Sequence, residues 1–231
     1  MHIPKTGGRW LTSKMEDVFD YFDYNKIKII NNKNEYKNNS FGERNGADAT
    51  KYYEHQGWHS EIDKDTFILT VFRDPIKQLC SLWTNSNENF IYENGLKKEI
   101  FLKDMSSKSP YLNNQSVSLS NSTKLKNFGI GFKTLDIDFL INRIDRINKI
   151  ILLQENEIDY NKEIKNLLSL MQIDLPTKIE KWQNNVASYK NKNPMSKSLF
   201  NSLSDEEKQY LGELQYLDMA LYNRIIEKGL K

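Results

Sequence analysis

This chain of 231 residues has a single cysteine, no long apolar run and little net charge. Its single cysteine, Cys80, excludes an intramolecular disulfide and a metal cluster built on cysteine thiolates, and we expect no bound metal. Cys80 lies among Leu79, Leu82 and Trp83, so we predict a packed thiol rather than a nucleophile.

Apolar runs are too short for a membrane-spanning helix. No stretch approaches the roughly 20 apolar residues that cross a bilayer, and no apolar segment of signal-peptide type follows Met1. We therefore expect no membrane span and a cytoplasmic protein, of microbial or viral origin.

Charge is abundant but balanced, because 33 Lys and Arg face 31 Asp and Glu and leave a net charge of +2. A protein that binds nucleic acid over its whole surface is usually more strongly basic, so we expect no nucleic-acid partner and any cationic site to be local. The oligomeric state has no readable signal.

Composition and periodicity indicate an ordered α/β protein. The chain is 38% hydrophobic and 12% aromatic, and its length suits one large domain over residues 1–231. Predicted strands alternate with predicted helices, which favours a parallel sheet flanked by helices. The predicted strands are 27–30, 66–72 and 150–153, the predicted helices are 10–22, 75–83, 136–147, 160–171 and one from Ser204 onward, and residues 31–50 are predicted as loop.

The first chemical signal is the segment that reads HIPKTGG from His2 to Gly8. A short glycine-containing turn with one lysine precedes the predicted helix 10–22. Backbone N–H groups at such a helix start, together with an ammonium group, favour an anion. The ATP-type phosphate loop differs, since it has its glycines before a Gly-Lys-Ser/Thr ending.

The second signal follows the predicted strand 66–72. Arg73, Asp74 and Pro75 come directly after it, and Ser81 lies eight residues after Arg73. We predict that Asp74 caps the next helix and that Pro75 occupies its first turn. Two cationic strand-to-helix junctions in one chain suggest one ligand with two separate phosphate-type groups.

These two segments resemble the carbohydrate sulfotransferases that use a nucleotide donor, particularly those related to heparan sulfate 2-O- and 6-O-sulfotransferases. Residues 2–8 match the opening motif of that family, and Arg73 to Ser81 match its second motif. Weaker similarities are the Asn-Asn-Gln segment 113–115, the segment 151–168 and the ending 218–222. The resemblance implies a three-layer sandwich like that of P-loop NTPases, with a central parallel sheet between helices.

The resemblance also implies a donor, 3′-phosphoadenosine 5′-phosphosulfate, and a hydroxyl-bearing acceptor, which we expect to be a saccharide. The residues that would hold the donor's 5′-phosphosulfate are Lys5, Thr6, Gly7, Gly8 and Arg9. Those that would hold its 3′-phosphate are Arg73 and Ser81, since an arginine fork suits a terminal phosphate. Lys5 would stabilise the leaving oxygen.

A sulfuryl transfer also needs a base for the acceptor hydroxyl, and the family uses a histidine from a comparable segment. Two histidines, His55 and His59, lie ahead of the predicted strand 66–72. Glu54 and Glu61 are the alternatives in the same segment.

Two other functions stay open at this stage. A nucleotide kinase or other P-loop NTPase would share the fold, although the chain lacks the Gly-Lys-Ser/Thr ending. Two features suggest a catalytically inactive nucleotide-binding module instead. Arg9 and Trp10 stand where the family has two threonines, and three residues are available for the strand expected before the loop.

Overall fold

The computed structural model describes residues 27–30, 49–52, 68–106, 108–120, 136–153, 166, 169 and 194–229. The elements are four strands and eight helices within these ranges. In chain order they are β1 (Ile27–Ile30), β2 (Ala49–Tyr52), β3 (Leu69–Arg73), α1 (Pro75–Ser86), α2 (Glu88–Asn94), α3 (Lys98–Asp104), α4 (Asn114–Leu119), α5 (Ile137–Asp145), β4 (Lys149–Leu153), α6 (Pro194–Ser202), α7 (Asp205–Leu214) and α8 (Tyr216–Glu227).

The described strands pair in parallel. Strand β1 pairs with β2, and β3 pairs with β4 in a register that sets Leu69 opposite Lys149 and Arg73 opposite Leu153. The connection from β3 to β4 runs through helices, as parallel neighbours require. The predicted α/β class with parallel pairing is therefore confirmed, as a mixed helix and strand architecture whose described strands form two small parallel sheets of two strands each.

Strand β3 differs from its predicted bounds at both ends. It begins at Leu69, because the Ile68 N–H donates to Asn148 Oδ1 at 2.7 Å and the Ile68 carbonyl accepts from the Asn148 and Lys149 N–H groups. It continues to Arg73, one residue beyond the predicted end. The predicted residues 66 and 67 lie outside the described residues.

Three other predicted elements are confirmed, two of them with different ends. Strand β1 has its predicted bounds, β4 starts one residue earlier than predicted, and α1 runs three residues longer, to Ser86. The predicted loop 31–50, for which brief structure was open, overlaps β2 at its last two residues, Ala49 and Thr50. The predicted helix 10–22 lies outside the described residues. Within the predicted helix 160–171, Asn166 and Ser169 are described and both are helical.

The predicted last helix is in fact two. Ser204 forms the predicted capping box with Glu207, but α7 ends at Leu214 and α8 starts at Tyr216. Gln215 leaves the helical conformation between them, with φ −94° and ψ 28°. Its side chain is fully buried and bonds to the backbone of two other segments, which fixes the break.

Two apolar clusters hold the described part together. One cluster packs strands β3 and β4 against α4, α5 and α8, and its buried members are Ile68, Phe72, Leu119, Leu140, Ile144, Ile147, Ile150, Leu152, Leu217, Leu221 and Ile225. The other joins α1 to α2, α3, α6 and α7, and its buried members are Ile76, Leu79, Cys80, Trp83, Ile91, Phe101, Met105, Leu112, Leu199, Leu203 and Leu211. The buried position of Cys80 confirms the predicted packed thiol.

Trp83 anchors the second cluster. Its side chain is fully buried, its indole N–H donates to Asp104 Oδ2 at 2.8 Å, and its ring meets Phe101 edge to face at 5.4 Å. Among the described residues, the helices are too short or too polar to cross a membrane.

Candidate functional site

The structure describes the second of the two predicted anion sites. Arg73 and Ser81 lie in one strand-to-helix unit, β3 followed by α1. The other predicted site residues lie outside the described residues, namely Lys5, Thr6, Gly7, Gly8, Arg9, His55 and His59. Their roles remain predictions.

Arg73 is the last residue of β3, at the carboxyl end of a parallel pair. Ligands of open α/β sheets bind at that edge, where the helices that follow the strands begin. The Arg73 residue is 7% exposed and its register partner, Leu153, is the last residue of β4. The position and the burial of Arg73 are compatible with a guanidinium that binds a ligand at the carboxyl end of β3.

Asp74 caps helix α1 as predicted, and Pro75 occupies the first helical position. One carboxylate oxygen of Asp74 accepts from the Ile76 and Lys77 N–H groups at 2.9 Å each. These two amides are therefore already satisfied by Asp74. An anion next to Arg73 would be held by side chains rather than by these amides.

Ser81 lies in the second turn of α1, on a helix whose first residues follow Arg73 directly. The residue is 8% exposed, and its carbonyl accepts from the Thr84 hydroxyl at 3.4 Å. The role of its hydroxyl at an anion stays a prediction.

Gln115, from the start of α4, bonds to both backbone groups of Arg73. Its Oε1 accepts from the Arg73 N–H at 3.0 Å, and its Nε2 donates to the Arg73 carbonyl at 2.9 Å. The amide thus fills the hydrogen-bonding positions that a neighbouring strand would otherwise fill. Because Gln115 is fully buried, this pair fixes the backbone at the end of β3.

Asp218, in the first turn of α8, caps α4 from outside. Its Oδ2 accepts from the Gln115 N–H at 3.0 Å, and its Oδ1 accepts from the Ser116 N–H at 2.7 Å and from the Ser116 hydroxyl. Burial raises the pKa of Asp218 to about 6, although the hydrogen bonds from Ser116 and Gln115 pull the pKa downward. The desolvation of a residue that is 1% exposed outweighs those bonds.

Helix α8 is capped in return by Asn113, the residue that precedes α4. Asn113 Oδ1 accepts from the Leu217 and Asp218 N–H groups at 3.0 and 3.2 Å. Asn113 adopts φ 49°, in the left-handed region where asparagine is among the few residues tolerated. The two helices therefore exchange caps across about 100 residues of sequence.

Gln215 completes this joint between α4, α8 and α1. Its Oε1 accepts from the Asn113 N–H, and its Nε2 donates to the Pro75 carbonyl at 3.2 Å. We call Asn113, Gln115, Ser116, Gln215 and Asp218 the buried polar joint. It connects the carboxyl end of β3 and the start of α1 to the last helix.

Tyr222 lies one turn after Asp218 on α8 and packs against the first apolar cluster. Burial first, and then the negative charge of Asp74, raise the pKa of Tyr222.

The pKa of Asp218 predicts a pH dependence of stability. Its folded value of about 6 exceeds its ordinary value of 3.8, so the folded state holds the proton more tightly. The stabilisation from protonation is complete below about pH 4 and is lost as the pH rises through 6, a difference of roughly 3 kcal/mol. Urea unfolding at pH 4, 5, 6 and 7 should show this decline in wild type.

The matched variant for that measurement is Asp218→Asn, which cannot ionise. Subtracting its profile from that of wild type removes the other titrating groups. The difference should fall by roughly 3 kcal/mol between pH 4 and 7. Parallel profiles for the two proteins would contradict a titrating Asp218.

The segments 113–115 and 218–222 are similar to the family in sequence, but the sequence alone gives none of their residues a role. The available signal was chemical, since Gln115 and Asp218 are polar residues between apolar positions of helices that pack in the core. The sequence does not show which residues these two bind, because the partners are about 100 residues away in the chain.

The model of the sulfotransferase family matches residues 1–223, which include β3, α1, the buried polar joint and the undescribed Lys5 segment. No curated protein and no solved structure matches the chain. Since the family model covers nearly the whole sequence, the chain belongs to the sulfotransferase family.

Proposed function

We propose that this sulfotransferase takes 3′-phosphoadenosine 5′-phosphosulfate as donor and binds the donor's 3′-phosphate through Arg73 and Ser81. The observation that carries this proposal is the position of Arg73, nearly buried at the carboxyl end of β3 with its backbone held by Gln115. A fixed, always charged fork suits a phosphate that must be recognised by shape and charge.

The amino-terminal segment takes the other end of the donor in this proposal. Lys5, Thr6, Gly7, Gly8 and Arg9 hold the 5′-phosphosulfate. The chain is one domain over residues 1–231, and its described parallel strands belong to a three-layer sandwich of the P-loop type. The relationship to heparan sulfate 2-O- and 6-O-sulfotransferases rests on residues 2–8 and on Arg73 to Ser81.

The reaction is an in-line transfer of the sulfuryl group to a hydroxyl, in our proposal that of a saccharide. A bond forms between the acceptor oxygen and sulfur while the bond from sulfur to the bridging phosphate oxygen breaks. His55 or His59 takes the proton of the acceptor hydroxyl, with Glu54 and Glu61 as the alternative bases. Lys5 stabilises the charge that develops on the leaving phosphate oxygen. No metal takes part in this scheme.

The direct test is a thermal shift with the donor product, 3′-phosphoadenosine 5′-phosphate. At a concentration 100 times its Kd, a ligand specific for the folded state stabilises by about 2.7 kcal/mol, which raises Tm by about 5–10 °C in a protein of this size. We expect this shift with the bisphosphate and a much smaller one with ATP plus Mg²⁺.

The other outcomes distinguish the remaining functions. A shift with ATP plus Mg²⁺ alone would contradict the proposal and favour a nucleotide kinase or another P-loop NTPase. A shift with the bisphosphate, combined with no sulfate transfer to any member of a glycan panel, would instead favour an inactive nucleotide-binding module.

A further inference from the structure

The side chains of the buried polar joint could be replaced by apolar ones as far as filling the space is concerned, so their polar groups need a separate explanation. Gln115 is fully buried at a place where an apolar side chain of the same length would fill the space without losing hydration. What an apolar residue cannot supply is the pair of hydrogen bonds to the Arg73 backbone, at 3.0 and 2.9 Å. Those bonds are the specific contribution of Gln115.

Gln115 is itself held firmly. Its N–H donates to Asp218 Oδ2 at 3.0 Å, and the next N–H, of Ser116, donates to Asp218 Oδ1 at 2.7 Å. Asp218 belongs to α8, which packs with α4 in the first apolar cluster. The amide that reaches Arg73 therefore projects from a backbone that Asp218 anchors to α8.

We propose that Gln115 is a positioning residue that sets the Arg73 guanidinium for the 3′-phosphate of the nucleotide. Asp218 supports it by anchoring α4. This inference rests on the proposed donor. Because a long side chain magnifies small changes at its own backbone, freeing the end of β3 displaces the guanidinium from the geometry that a phosphate needs.

A structural role and a positioning role predict different losses. If Gln115 only stabilises the fold, its removal lowers Tm and leaves the ligand preferences of the folded protein unchanged. If it positions Arg73, its removal weakens the 3′-phosphate contact selectively. The readout that separates them is the ratio of the Kd values for adenosine 5′-phosphate and 3′-phosphoadenosine 5′-phosphate, which differ only by that phosphate.

The test variant is Gln115→Met, which keeps the length of the side chain and removes both hydrogen bonds. We expect about tenfold weaker binding of 3′-phosphoadenosine 5′-phosphate, with adenosine 5′-phosphate bound within twofold of wild type. In turnover, KM for the donor rises and kcat at saturating donor stays near wild type. Titrations are run at a temperature where circular dichroism shows each variant folded.

The control is Asn148→Ala, which removes the hydrogen bond from the Ile68 N–H at 2.7 Å, at the opposite end of β3 from Arg73. It should lower Tm and leave the Kd ratio unchanged. A milder variant, Gln115→Asn, keeps the amide but is one methylene too short for both bonds to Arg73. It should shift the ratio in the same direction as Gln115→Met and serves if that variant does not fold.

A second arm uses the Arg73→Met background. There, adding Gln115→Met should leave the Kd ratio unchanged, because the guanidinium that Gln115 positions is gone. An unaltered ratio in the Gln115→Met single variant, or an equal further loss in the Arg73→Met background, overturns the inference. If wild type itself does not prefer the bisphosphate to adenosine 5′-phosphate, the proposed donor fails instead, and the two failures are thereby distinguished.

Discussion

Replacing Asp218 by alanine should lower the free energy of unfolding by about 3–5 kcal/mol. The change leaves three buried donors without their acceptor, namely the N–H groups of Gln115 and Ser116 and the Ser116 hydroxyl. Alanine also leaves a space in a region where Asp218 is 1% exposed. Urea unfolding at pH 4, where Asp218 is protonated in wild type, measures the loss without the cost of ionising Asp218.

An exposed helix cap provides the comparison. Asp136 caps α5 through one hydrogen bond, to the Asp138 N–H at 2.9 Å, at an exposed site. Asp136→Ala should lower the free energy of unfolding by only about 1 kcal/mol, because water can replace the lost acceptor. Equal losses for the two alanine variants would refute a special role for the buried polar joint.

Asp218→Asn should fall between wild type and Asp218→Ala at pH 4, where Asp218 is protonated in wild type. The asparagine oxygen still accepts from Ser116, but its NH₂ group faces the Gln115 N–H, so that two donors oppose each other. The order of the three proteins therefore reports how many acceptors the joint needs.

Local chemistry made the β3 to α1 unit predictable from the sequence. Each signal there lies within a few residues of the group it acts on: an apolar strand before Arg73, an aspartate cap at Asp74 and a proline at the first helical position. The Ser204 capping box was predictable for the same reason, since its partner is Glu207.

The joint that holds this unit was not predictable, because its bonds are long-range. Nothing near Gln215 in the sequence signals a helix break, and periodicity alone favours one continuous helix through it. The break is stabilised by the Asn113 N–H and the Pro75 carbonyl, which are about 100 and 140 residues away. Helix α6 was not predicted either. It packs against α1, which lies far from it in the sequence.

In the proposed donor site the two ends of the nucleotide make different demands. Arg73 and Ser81 would bind an end that does not react, so their contribution would be the same before and during transfer. Lys5 would act at the bridging oxygen, where charge develops only as the bond to sulfur breaks. Interactions of the first kind set affinity, and those of the second kind set the rate.

Lys5→Ala should therefore lower kcat by about 100- to 1,000-fold while 3′-phosphoadenosine 5′-phosphate still binds within a few-fold of wild type. Measured with saturating donor and acceptor, the loss should appear in kcat rather than in KM for the donor. Lys5→Arg, which keeps the positive charge with a different shape, should recover part of the rate.

A matched lysine control comes from the described part of the chain. The Lys98 ammonium pairs with Glu207 at 3.0 Å at a partly exposed position, so Lys98→Ala should cost at most about 1 kcal/mol of stability and leave kcat unchanged. Full turnover in Lys5→Ala would refute the role of Lys5 in stabilising the leaving oxygen. A parallel collapse of bisphosphate binding in that variant would instead make Lys5 an affinity residue, and the charge on the leaving oxygen would then need another cation, for which Arg9 is the nearest candidate in the sequence.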